Sequence, residues 1–178
     1  DDIYILDQAG AWWKYDGGTT IATSGTHGSN DYVDAIYFAP EGVIYATTFS
    51  NGIARIDPST MAVIEYITST GPTGGTTYTG HDPDADGTLG IIAIGVIMYV
   101  GANTGFFGGT NAIWKYDTNA GTTDTLDAGG WNSGSPTITG SQIPGLNTWA
   151  LNAYGNILIV AVEGFGIWLY DTLNNTAD

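Results

Sequence analysis

The feature that most constrains this chain is a six-residue pattern that occurs four times. The copies are Ala11-Trp12-Trp13-Lys14-Tyr15-Asp16, Gly52-Ile53-Ala54-Arg55-Ile56-Asp57, Ala112-Ile113-Trp114-Lys115-Tyr116-Asp117 and Gly166-Ile167-Trp168-Leu169-Tyr170-Asp171. Each runs from a small residue through bulky strand formers to an Asp that opens a turn. The chain has 3 basic residues, Lys14, Arg55 and Lys115, and all stand two places before that Asp. The fourth copy has Leu169 there. So rare a residue type, always at one place, marks four copies of one structural unit, and repetition is read before any single segment.

Apolar, β-branched runs precede each copy, at 3–6, 43–47, 96–100 and 157–162. Before the last three lies a further run, at 35–39, 91–94 and 149–153. Weaker strands follow the motif at 19–23, 62–67 and 122–126. Short turns separate the runs, and no apolar spacing of helical period is sustained. The pattern predicts an up-and-down meander of about four antiparallel strands per unit, with units near 1–33, 34–87, 88–145 and 146–178. Antiparallel strands joined by turns and repeated at roughly 40–60 residues are the signature of propeller blades. The expected fold is all-β, a small β-propeller-like repeat of about four blades in a single domain over 1–178. A β-sandwich and a β-solenoid are the alternatives. Strand counts of three, four, four and three are expected. The first unit begins at its second strand, and only residues 172–178 remain for the outer strand of the fourth.

Alternation places Trp114 and Tyr116 on one strand face and Ile113, Lys115 and Asp117 on the other. The aromatics are expected to pack between units, while Lys and Asp pair locally at a wetter edge. Each motif Asp is expected to accept main-chain N–H groups of the turn that follows. The repeat resembles those of regulator-type and quinoprotein-like propellers, in which a strand ending in Tyr-Asp or Ile-Asp leads into a turn. That resemblance implies architecture, and no quinone-binding residue is carried over.

The net charge is −15, with 18 acidic residues and no cysteine. Such a chain repels nucleic acid and anionic membrane surfaces and attracts cations. Without cysteine there is no disulfide and no thiolate metal site. Scarce Lys and Glu beside abundant Asp, Thr, Gly and Asn point to an extracellular or cell-surface location. Asp1-Asp2, running straight into a strand, reads as a mature terminus after cleavage. No run reaches the roughly 18 apolar residues of a membrane span. Asn174-Asn175-Thr176 forms a glycosylation sequon.

The sharpest chemical motif is Asp82-Pro83-Asp84-Ala85-Asp86-Gly87-Thr88. Asp at alternate positions followed by Gly matches the start of a calcium loop, in which carboxylates converge on a hard cation and a carbonyl follows. The motif resembles EF-hand loops and the calcium loops of integrin-like propellers, and departs from both at Gly90 and Ala93. The expected Ca2+ ligands are Asp82, Asp84, Asp86 and the main-chain carbonyl of Thr88; a plain acidic turn is the alternative. Catalytic constellations are thin. His27 and His81 sit apart in loops, Glu41, Glu65 and Glu163 are scattered, and no catalytic or cofactor-binding residue is assigned. Trp131 and Tyr78 can stack on sugars or anchor their loops.

These features favour a non-enzymatic extracellular structural or interaction module. It is expected to be calcium-stabilised and self-associating head to tail into a filament or ring, a terminal segment pairing with the neighbouring subunit. The alternatives are a secreted carbohydrate-active enzyme and a glycan- or peptide-binding propeller module. The expected partners are further copies of the chain, then glycans.

Overall fold

A computed structural model describes residues 3–15, 21–27, 31–74, 76–83, 87–102, 112–127, 129–134, 136–144 and 147–178, with no helix among them. The chain forms four sheets. The first holds β1 (Ile3–Leu6), β2 (Ala11–Tyr15) and β3 (Ile21–Thr26). The second holds β4 (Tyr32–Phe38), β5 (Val43–Thr48), β6 (Ile53–Ile56), β7 (Val63–Thr68) and β8 (Gly71–Pro72). The third holds β9 (Thr88–Ile94), β10 (Ile97–Ala102), β11 (Ile113–Asp117), β12 (Thr122–Asp127) and β13 (Gly130–Trp131). The fourth holds β14 (Thr139–Gly140), β15 (Thr148–Tyr154), β16 (Ile157–Val162), β17 (Gly166–Asp171) and β18 (Thr176–Ala177).

Each of the last three sheets is a meander that starts at β4, β9 or β15. All strand pairs are antiparallel except β14 with β18. The fourth sheet is fuller than the three strands its sequence suggests. Thr176–Ala177 pairs with Tyr170 and Asp171, and Thr139–Gly140 pairs in turn with Thr176–Ala177. The C-terminal segment therefore completes its own sheet and is not free to pair with a neighbour. The first sheet has three strands, and β1 is its edge.

The strand registers make the four motifs equivalent. Lys14 lies opposite Tyr4, Arg55 opposite Tyr45 and Lys115 opposite Tyr99. In the fourth sheet the same pair is Leu169 and Ile159. The turns agree as well. The residue four places after the motif Asp has positive φ in three copies: Met61 at 58°, Gly121 at 61° and Asn175 at 57°. The carboxylates act as expected. Asp57 Oδ1 accepts the Ser59 and Thr60 N–H groups, Asp117 Oδ1 those of Asn119 and Ala120, and Asp171 Oδ1 those of Leu173 and Asn174. Asp16 lies outside the described residues.

Alternation gives each strand two apolar faces, and stacking the sheets in chain order buries them in three separate clusters. Trp12, with Tyr4 and Leu6, packs on Ile44, Ala46, Ala54 and Ile56. Phe38, Val43, Tyr45, Ile53 and Ile67 pack on Met98, Val100, Trp114 and Tyr116. Tyr99, Ile113 and Leu126 pack on Leu158, Val160, Val162, Trp168 and Tyr170. The second and third sheets thus each pack one face back on the sheet before and the other forward on the sheet after. Burial of such side chains contributes about 1.5–3 kcal/mol each and is the main force holding the stack.

Candidate functional site

The basic position of the motif lies on the forward face, and in the second and third copies it is met by acids from elsewhere in the chain. Arg55 reaches Glu65 Oε1 and Glu41 Oε2, each at 3.3 Å. Tyr45 donates to Glu41 Oε2 at 2.7 Å. Thr76 donates both its main-chain N–H and its hydroxyl to Glu65. Glu65 is 3% exposed, and burying a carboxylate is costly unless it is paired and hydrogen-bonded. One sheet on, Lys115 lies 3.8 Å from Asp124, and the loop residue Ser133 donates its N–H and hydroxyl to that carboxylate. The pairing therefore differs from the expected one. Lys115 meets Asp124 of the neighbouring strand at a largely buried site, with its ammonium 4.1 Å from the centre of the Trp131 ring. Burial lowers the Lys115 pKa, against the opposing pull of Asp124 and Asp117.

The two glutamates brought together here are scattered in the sequence. Their meeting was visible only in the register of β6 on β7, which sets Arg55 opposite Glu65. Both are held on Arg55.

The loop aromatics act as anchors. Trp131 is 5% exposed and donates its indole N–H to Tyr170 Oη at 3.3 Å. Tyr78 packs on Trp114 and Tyr116 and donates to Asp82 Oδ1 at 2.6 Å. His27 is more than a loop residue. It stacks on Trp12, bonds Tyr32 Oη through Nδ1 and meets the Met61 carbonyl through Nε2, tying the first sheet to the second.

Of the expected calcium ligands, Asp84 and Asp86 lie outside the described residues. Asp82 is partly buried, and the carbonyl of the preceding His81 accepts the Trp114 indole N–H at 2.8 Å. The entry to the loop is thus fixed against the third sheet, with one Asp82 oxygen taken by Tyr78. Among the described residues no three His, Asp or Glu side chains gather closely enough to hold an ion. Thr88 is 1% exposed, and its hydroxyl is already used. It donates to the Gly52 carbonyl at 2.9 Å and accepts the Thr48 N–H at 3.1 Å. Thr148 repeats the device one sheet on, donating to the Ala112 carbonyl at 2.8 Å. These threonines lock the first residue of an inner strand to the start of the preceding motif.

The remaining features are surfaces. The forward face of the fourth sheet carries Ile157, Ile159, Ile167 and Leu169, with Ile167 64% and Leu169 40% exposed. The side chains of Arg55 and Lys115, at the equivalent place, are 22% and 17% exposed. The backward face of the first sheet carries Ile3, Ile5, Trp13 and Tyr15, with Ile3 56% and Ile5 44% exposed. Beside the edge strand β1, where β4, β9 and β15 stand in the other sheets, lies an open cleft. It has a volume of about 290 Å3 and is lined by Ile3, Tyr4 and Leu6 on one side and Ala35, Ile36, Tyr37 and Ile44 on the other.

No family model matches the chain, and no curated protein matches it. Solved structures do. The computationally designed Ika8 protein aligns with 99% of this chain at 12% identity and a TM-score of 0.59, over 44% of its own length. The extracellular domain assigned to the hybrid two component system BT3049 of B. thetaiotaomicron aligns with 98% at 13% identity and a TM-score of 0.58, over 24% of its length. The designed Ika4 protein aligns with 92% at 11% identity and a TM-score of 0.53, over 81% of its length. The chain thus spans less than half the length of the first two. At these identities the likeness is one of fold, an all-β stack of antiparallel sheets.

Proposed function

We propose that this chain is a non-enzymatic extracellular structural and interaction module. Its four sheets are blades of a propeller-like series, and it associates with further copies of itself through its two ends, into a filament or a ring. One observation carries the reading. The forward face of the fourth sheet and the backward face of the first are apolar and exposed, whereas every equivalent face inside the chain is buried. Large exposed apolar patches mark interaction sites. The extracellular location is supported by the likeness to an extracellular sensor domain and by scarce Lys and Glu beside abundant Asp, Thr, Gly and Asn. The charge of −15 keeps a sticky-ended protein soluble and repels nucleic acid. Calcium held by Asp82, Asp84, Asp86 and the Thr88 carbonyl would brace the long connection into the third sheet. Light scattering of the purified chain with calcium and with chelator tests the reading. The expected result is a mass above that of one chain which grows with concentration. A single-chain mass at millimolar protein, with calcium present, defeats it.

The cleft beside β1 favours a second reading, a peptide-binding module. An extended peptide laid there would add a strand beside β1, the edge strand of its sheet, as inner strands pair in the other sheets. Titration with a seven-residue peptide of the β9 sequence, followed by backbone amide shifts of residues 3–6, tests it; no shift at those residues rejects it.

A further inference from the structure

Resting on the reading that the chain associates through its ends, we infer which two faces meet: the forward face of the fourth sheet binds the backward face of the first sheet of a second copy. The basis is the register shared by all four motifs. With Lys14, Arg55, Lys115 and Leu169 as equivalents, Trp13 and Tyr15 correspond to Trp114 and Tyr116 and to Trp168 and Tyr170. In the third sheet the Trp-x-Tyr pair is buried against the forward face of the second. In the fourth sheet it is buried against the forward face of the third. Its two rings stack there, with centroids 5.8 Å apart in one case and 5.6 Å in the other. The first sheet carries the same Trp-x-Tyr on the same face, and among the described residues no sheet packs on it. Ile3 and Ile5, beside Tyr15 and Trp13 across the strand pair, complete an apolar surface.

The fourth sheet supplies the counterpart. Its forward face is built on the frame that covers Trp-x-Tyr twice within the chain, but the Tyr–cation pair has become Ile159 with Leu169. An apolar pair, with Leu169 40% exposed, suits a face that is covered. The second copy therefore repeats between chains the interface already made three times within one. The two patches differ, so the contact is heterologous, and successive copies run head to tail into a filament or a ring. An apolar contact between chains of −15 each strengthens with added salt, which screens their mutual repulsion.

Blocked ends test this. Ile167→Lys puts a charge where Ile53 and Ile113 are buried in the covered forward faces, and so closes that face; Ile5→Lys closes the backward face. Both substitutions fall at exposed positions, and far-UV circular dichroism and thermal melting check that each variant folds. Leu169→Glu and Ile3→Lys replace either variant that does not. Sedimentation of the 178-residue chain is expected to show assembly that rises with salt. Each variant alone is expected to sediment as one chain, and an equimolar mixture as a dimer that grows no further, because only one open forward face and one open backward face remain per pair. Folded single variants that assemble like the parent, or a mixture that stays monomeric, overturn the assignment of faces. An unmodified chain that stays monomeric in high salt overturns the reading beneath it. If Ile167→Lys blocks assembly and Ile5→Lys does not, two forward faces meet and the head-to-tail arrangement is wrong.

Discussion

Tyr45 faces Arg55 across β5 and β6 in the same register in which Tyr99 faces Lys115 one sheet on. Both cations then turn to a buried acid of the following strand, Glu65 or Asp124, that a loop hydroxyl also holds. The repeat is therefore one of interactions as well as of shape. Removing the cation leaves the acids without their partner. Arg55→Ala is expected to cost about 3 kcal/mol, because an uncompensated buried charge remains. Urea unfolding followed by circular dichroism measures it; a loss below 1 kcal/mol would mean that Glu41 and Glu65 find water instead.

Gly121 has φ of 61° and nothing within 4 Å of where a Cβ would stand. Gly121→Ala should therefore show the bare cost of the left-handed backbone, about 1 kcal/mol. Thermal unfolding reads it. An unchanged midpoint would mean that the turn after Asp117 relaxes freely.

Five tyrosines, Tyr45, Tyr78, Tyr99, Tyr116 and Tyr170, have their hydroxyl pKa values raised, first by burial in every case. Unfolded tyrosine ionises near pH 10. Above that pH the unfolded chain holds fewer protons than the folded one, so stability falls as pH rises. The phenolate absorbance of these five is expected to appear together with loss of the β signal. Ionisation of all 11 tyrosines near pH 10 with the fold intact would contradict the burial of these rings.

Thr88 separates the lock from the metal. Thr88→Val removes the hydroxyl that meets the Gly52 carbonyl and keeps the main-chain carbonyl. It is expected to cost about 1–2 kcal/mol with or without calcium. If calcium binds the folded state at residues 82–88 as proposed, it raises the melting temperature, and Asp84→Ala is expected to abolish that rise. Calorimetry showing no heat at millimolar calcium would leave residues 82–88 as an acidic turn.

The parts legible in the sequence are those set by neighbours along the chain. Strand faces follow from alternation, so the split of Trp114 and Tyr116 from Ile113 and Lys115 could be read directly. The motif Asp and the turn after it follow from short-range hydrogen bonding, and Asp57, Asp117 and Asp171 all behave alike. Rare cations at one place in the motif revealed the repeat, and the strand registers make those places equivalent.

What the tertiary structure decided depends on residues far apart in the chain. Residues 176–177 close their own sheet because residues 139–140 reach across to pair with them. Lys115 takes Asp124 rather than Asp117 because strand register sets Asp124 directly opposite it on the neighbouring strand. Thr88, Trp131 and His27 become inter-sheet ties because packing one sheet on the next brings a carbonyl or a tyrosine hydroxyl within reach. The sequence alone determined four alike units with two apolar faces each. Only their stacking decided which faces are covered, since burial is a property of the assembled sheets and of no single strand.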